Sequence, residues 1–116
     1  MSIRTVEIER LQAIADREDL LPKELRSLGL VLVFDILYNA EAYTRNSEER
    51  GGFWGVHFSH RLRREADVKL YLHDYLATEE RFFRNSRGAS QSHHVYIITM
   101  KGFELLRRLK KEAGIE

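Results

Sequence analysis

The sequence predicts an α+β fold that is mainly α-helical, on three observations. Apolar residues recur at helical spacing through most of the first half of the chain. A β-branched run, His94-Val-Tyr-Ile-Ile-Thr99, follows the polar, glycine-containing stretch Asn85–Ser92, which is the pattern of a hairpin. An amphipathic segment, Lys101–Ala113, then carries Phe103, Leu105, Leu106 and Leu109 as its apolar set. At 116 residues the chain is expected to form one domain, with a helical part over 3–43 and a mixed part over 53–113.

Taken in order, residues 3–16 read as an amphipathic helix with Ile8, Leu11, Ile14 and Ala15 on one face. Asp16-Arg-Glu-Asp19 breaks the pattern, and Pro22 suits the first turn of a second helix. That helix is expected from Pro22 to Tyr43. Leu25, Leu28, Leu32 and Ile36 form one stripe, and Leu30, Val31, Val33, Phe34 and Leu37 lie on its other sides. A helix apolar nearly all round is buried on several faces, so a homodimer that covers part of it is expected on equal terms with a central core helix. Thr44–Gly52 is the clearest loop.

Two readings fit the next stretch. One makes His57–Glu65 a short helix, Glu65-Ala66-Asp67 a turn, and Val68–Thr78 a second helix. Asp67 is then its N-cap, and Val68, Leu72, Tyr75 and Leu76 its inner face. The other takes Val68–His73 as a strand, since Val68, Leu70 and Leu72 alternate with Lys69, Tyr71 and His73. The helical spacing reaches further, through Leu76, and is preferred. Arg81-Phe-Phe-Arg84 is expected as a short strand, with Phe82 and Phe83 in the core. Thr99 is expected to cap the last helix and Gly114 to stop it.

Composition narrows the function classes. With 43% apolar and 32% charged residues the chain has the balance of a globular protein. It has no cysteine, which excludes disulfides and thiolate zinc sites and suits a reducing cytoplasm. The N-terminus is charged throughout and is not expected to be a secretory signal. The longest apolar run, Leu30 to Phe34, is far too short to span a bilayer, so no membrane partner is expected. Residues 1–50 carry seven Lys/Arg against ten Asp/Glu, whereas residues 51–116 carry twelve against eight. An anionic partner is therefore expected to meet the second half.

The stretch Val95-Tyr-Ile-Ile-Thr-Met-Lys-Gly-Phe-Glu-Leu-Leu106 resembles the wing and closing helix of winged helix-turn-helix transcription regulators of the PadR and MarR types. Tyr96, Thr99, Lys101, Gly102, Leu105 and Leu106 fit the pattern, with Ile98 where leucine is usual, and Gly52-Phe-Trp-Gly55 is more weakly similar to the PadR type. The resemblance covers about half the chain. It implies a winged helix-turn-helix with additional N-terminal helices, double-stranded DNA as partner, and a role in transcription regulation.

DNA binding requires cations matched to phosphates and a few side chains that reach base edges. On the helical reading Lys69, Tyr71 and His73 point outward from the recognition helix, beside Asp74. The preceding helix supplies His60, Arg61, Arg63 and Arg64, and the hairpin supplies Arg84, Arg87, Gln91 and His93. The competing reading is a winged-helix module that docks a protein through Leu30–Leu37 or through Phe53 and Trp54.

No enzyme, cofactor or metal is expected. His57 and His60 have the spacing of one helix face, but no carboxylate stands at a metal-binding interval. Ser59 beside His60 lacks the strand–turn–helix setting of a nucleophile. Gly51-Gly52 lacks the Lys and Ser/Thr of a phosphate loop.

Overall fold

The computed structural model describes residues 5–46, 59–84 and 86–115. Its fold is α+β and mainly helical, around one two-stranded antiparallel sheet. Helix α1 spans Thr5–Ala13 and turns Ile8 and Leu11 into the core. Short 3-10 segments at Glu18–Leu20 and Lys23–Leu28 lead to the central helix α2, Leu30–Asn46.

The long helix expected from Pro22 is therefore two pieces. Gly29 divides them with φ of +85°, a conformation open to glycine and costly for other residues. Helix α2 then runs on through Thr44, Arg45 and Asn46, which the sequence assigned to a loop. Leu30, Leu32, Val33, Phe34, Ile36, Leu37 and Ala40 are all buried within this single chain. Most of the apolar girdle of α2 is thus covered within one chain, with Val31 and Tyr38 half-buried, and the width of that girdle does not by itself call for a second subunit. The same burial closes Leu30–Leu37 to a docking partner.

Helix α3 runs unbroken from His60 to Leu72 and corrects both readings of this region. There is no turn at Glu65-Ala66-Asp67 and no strand at Val68–His73. The N-cap is Ser59, whose hydroxyl accepts from the Leu62 amide at 3.2 Å; Asp67 lies mid-helix. The helix ends in a Schellman arrangement. Asp74 adopts φ of +66°, its amide donates to the Tyr71 carbonyl, and the Tyr75 amide donates to the Leu70 carbonyl.

Strand β1, Leu76–Arg84, pairs in register with β2, Ser90–Ile98, from Leu76 opposite Ile98 to Arg84 opposite Ser90. Both strands reach further than the sequence suggested. Leu76, Tyr96 and Ile98 share the sheet face that packs on the helices. Phe82 lies further out on that face and is 72% exposed, so it is not a core residue; the Phe83 side chain lies outside the described part.

Helix α4, Met100–Ala113, is capped by Thr99 and ends on Gly114 at φ of +71°, both as the sequence predicts. Its apolar set is buried at Leu105, Leu106 and Leu109, with Phe103 half-buried. Its start locks onto the end of α3. The Thr99 hydroxyl donates to the Asp74 carbonyl at 2.6 Å and accepts from the Gly102 amide at 3.1 Å. Lys101 Nζ donates to the His73 carbonyl at 2.9 Å and sits 4.4 Å from the centre of the Tyr75 ring. A Cβ at Gly102 would come within 2.1 Å of the Tyr75 carbonyl oxygen, so only glycine permits this approach.

Candidate nucleic-acid interface

Helix α3 has an inner and an outer face, set by its helical period. Ala66 and Leu70 anchor the inner one. Arg61, Glu65, Val68 and Leu72 form a stripe on the opposite side, flanked by Arg64 and Tyr71. All six are exposed, with Leu72 at 69%. Val68 and Leu72, expected inside, are thus on the outer face, and Leu70 takes the inner position.

The period also sorts the cations. His60, Arg61 and Arg64 are exposed. Arg61 bonds Glu65 one turn on at 3.2 Å, but the two side chains are 90% and 60% exposed, and such a pair opens at little cost. Arg63 points inward and forms an ion pair with Asp35 of α2. Asp35 is buried, and Asn39 also donates to it at 3.2 Å. Burial raises the Asp35 pKa above the ordinary carboxylate value, against the opposing pull of Arg63 and Asn39. Lys69 Nζ donates to the Ser27 hydroxyl at 2.9 Å, toward the 3-10 segment Lys23–Leu28. His73 is the C-cap of α3, beside the α4 junction.

Tyr71 packs edge-on against Tyr96 of β2, with ring centres 6.2 Å apart. One turn and two turns earlier on α3, Asp67 and Arg63 border the same cavity as His94 and Tyr96. Helix α3 therefore meets β2 at this cavity and at the Tyr71–Tyr96 contact. The hairpin extends about 27 Å from Leu76 to Arg84. Arg84, Arg87 and Gln91 are exposed there; the His93 side chain lies outside the described part. The candidates left exposed on the two elements are thus His60, Arg61, Arg64 and Tyr71 on α3, and Arg84, Arg87 and Gln91 on the hairpin. Arg63, Lys69 and His73 are not among them.

A second basic group escaped the sequence reading. Arg107, Arg108, Lys110 and Lys111 crowd the end of α4. Arg108 donates to the Asp19 carbonyl at 2.7 Å, and Lys110 stands over the Tyr38 ring at 5.5 Å. The run Arg107-Arg-Leu-Lys-Lys111 is visible in the sequence, but Lys110 and Lys111 fall in the last helical turn, where they offset the helix dipole.

His57, Phe53, Trp54 and Gly51-Gly52 lie outside the described residues. Among the described residues no group of three His, Cys, Asp or Glu side chains is placed to hold a metal ion. No helix among them is long and apolar enough to cross a membrane. No protein-family model matches the chain, and comparison with curated proteins and with solved structures returns no significant similarity.

Proposed function

We propose that this chain binds double-stranded DNA as a winged-helix protein, with α3 as the helix that enters the major groove and the β1–β2 hairpin as the wing. The observation that carries the reading is an exposed cation group on each of two successive elements, α3 and the hairpin that follows it. His60, Arg61 and Arg64 are exposed in the first turns of α3, and Arg84 and Arg87 are exposed at the hairpin end away from the Leu76–Ile98 pair. The N-terminal part of a recognition helix is the part that meets base edges, and a hairpin with basic residues at its outer end can follow phosphates or the minor groove. The order α3, β1, β2, α4 is that of recognition helix, wing and closing helix. The contact set is narrower than the sequence suggested: Arg63 serves Asp35, and Lys69 serves Ser27. A second copy is not needed for the reading, and a role in transcription regulation is its natural extension.

The test is fluorescence anisotropy with a mixed-sequence duplex at low salt. Arg61→Ala and Arg64→Ala are each expected to weaken binding by about three- to tenfold and to lower the salt slope by about one. Absence of binding to duplex DNA at low salt would overturn the proposal. A second reading, docking of a protein partner, is favoured by the exposed apolar residues Val68 and Leu72 on that same face of α3 and by Met100, 73% exposed, at the start of α4. In that case binding to the partner would survive high salt and fail with Leu72→Asp.

A further inference from the structure

A cavity of about 240 Å³ opens between α2, α3 and β2. Ile36 and Ala40 of α2 and Val95 and Tyr96 of β2 give it an apolar wall, while Arg63 and Asp67 of α3 give it a charged one. The charges are not balanced. Arg63 is bonded to Asp35, so its guanidinium is already matched. Asp67 has no hydrogen-bonded partner among the described residues. Burial pushes its carboxyl up to about 6, with Arg63 pulling down and Asp35 pushing up. With the guanidinium of Arg63 bonded to Asp35, the Asp67 carboxylate is a negative charge in this cavity that no bonded cation matches.

We infer that this cavity is a binding site for a small organic cation, whose ammonium pairs with Asp67 and whose apolar body lies against Ile36, Ala40, Val95 and the Tyr96 ring. An aromatic face beside the carboxylate suits a cation further. An anion is disfavoured, because the one guanidinium present is already bonded and Asp67 repels it. A metal ion is disfavoured by the donor set, which offers a single uncommitted carboxylate. The volume exceeds the roughly 150 Å³ that admits a benzene ring, leaving room for a short aminoalkyl arm. The inference stands apart from the DNA-binding reading, and its test uses no nucleic acid.

The probe is benzylamine, with neutral benzyl alcohol as its counterpart, titrated into the full chain by NMR at pH 7.5. For a ligand of this size the expected Kd is on the order of a millimolar. Benzylamine should bind at least about tenfold more tightly than the alcohol, and Asp67→Asn should reduce that preference to about twofold or less. Asp67 is faced by Arg63 on its own helix, by Asp35 from α2, and by His94 and Tyr96 from β2. With the carboxyl titrating near 6, benzylamine affinity should fall about tenfold between pH 7.5 and 5.0, and His94→Gln should keep that fall. Equal affinity for amine and alcohol, unchanged amine binding by Asp67→Asn, or no benzylamine binding at 20-fold the expected Kd would each overturn the inference. Should Asp67→Asn fail to fold, the comparison of amine with alcohol on the unchanged chain decides by itself.

Discussion

Helices α3 and α4 are nearly equal in length and carry the same end fittings. Each starts on a hydroxyl that accepts from the amide three residues on, Ser59 from Leu62 and Thr99 from Gly102. Each ends in a Schellman arrangement on a residue of positive φ, Asp74 and Gly114. Between the ends they differ. Helix α4 buries Leu105, Leu106, Leu109 and Ala113, whereas α3 buries Ala66 and Leu70 and leaves Val68 and Leu72 in solvent. Capping fixes where a helix begins and ends, and its side chains decide whether its outer face is spent on the fold. Helix α4 spends its apolar face on the fold; α3 is held by its ends, by Ala66 and Leu70, by the Arg63–Asp35 pair, by the Lys69–Ser27 bond and by the Tyr71–Tyr96 contact, and its outer face stays in solvent.

That contrast breaks most easily in the core. Leu106→Ala should lower the unfolding free energy by about 3–4 kcal/mol, and Leu72→Ala should change it by no more than about 0.5 kcal/mol, read by urea denaturation. If the two cost the same, the outer face of α3 is covered in solution and the contrast is wrong.

The arginines of α3 give the next test. Arg63→Ala leaves a buried carboxylate unpaired and should cost about 3 kcal/mol at pH 7.5. Arg61→Ala removes a solvated pair and should cost less than about 0.5 kcal/mol. The pH dependence sharpens this. Asp35 and Asp67 both have folded pKa values above their unfolded ones, so the native state holds more protons than the unfolded state in that window. Their contribution to stability is therefore greatest in acid and falls as pH rises, through a window that for Asp67 runs from 3.8 to about 6. In Arg63→Ala the Asp35 carboxyl should take up a proton more readily, so the cost of the substitution should be smaller at pH 5 than at pH 7.5. A cost that is flat with pH would mean that Asp35 is not desolvated.

The smallest effect lies at the helix ends. Asp74 bears a side chain where α4 uses Gly114, so Asp74→Gly should raise stability by about 0.5 kcal/mol, and Gly114→Ala should lower it by about 1 kcal/mol, measured as shifts in Tm.

The sequence was most legible where local and tertiary demands agree. Thr99, the leucines of α4 and Gly114 state a capped amphipathic helix without competition. In α3 they disagree. Val68 and Leu72 look like core residues at helical spacing, but the fold turns Leu70 inward and leaves them outside. Burial of Arg63 beside Asp35 has no local signal, because the partners are 28 residues apart. The break at Gly29 was visible as a lone glycine between two apolar stretches, and only its positive φ gives it weight. The first half of β1, Leu76-Ala-Thr-Glu-Glu80, has weak strand character and is made a strand by pairing with His94–Ile98. Within the candidate interface, residue type identified the cations of α3, but their division between interior and surface follows from the period of an unbroken helix.

Gly102 has a consequence for how freely this chain can be rewritten. Where α4 meets the Tyr75 carbonyl there is no volume for even a methyl group, so the position admits a single letter of the alphabet. Val68 and Leu72 on the outer face of α3, earlier in the chain, stand in solvent and leave room for many letters. A lineage descending from this sequence would therefore be free to change what α3 presents, generation by generation, while the hinge point that aims it stayed fixed.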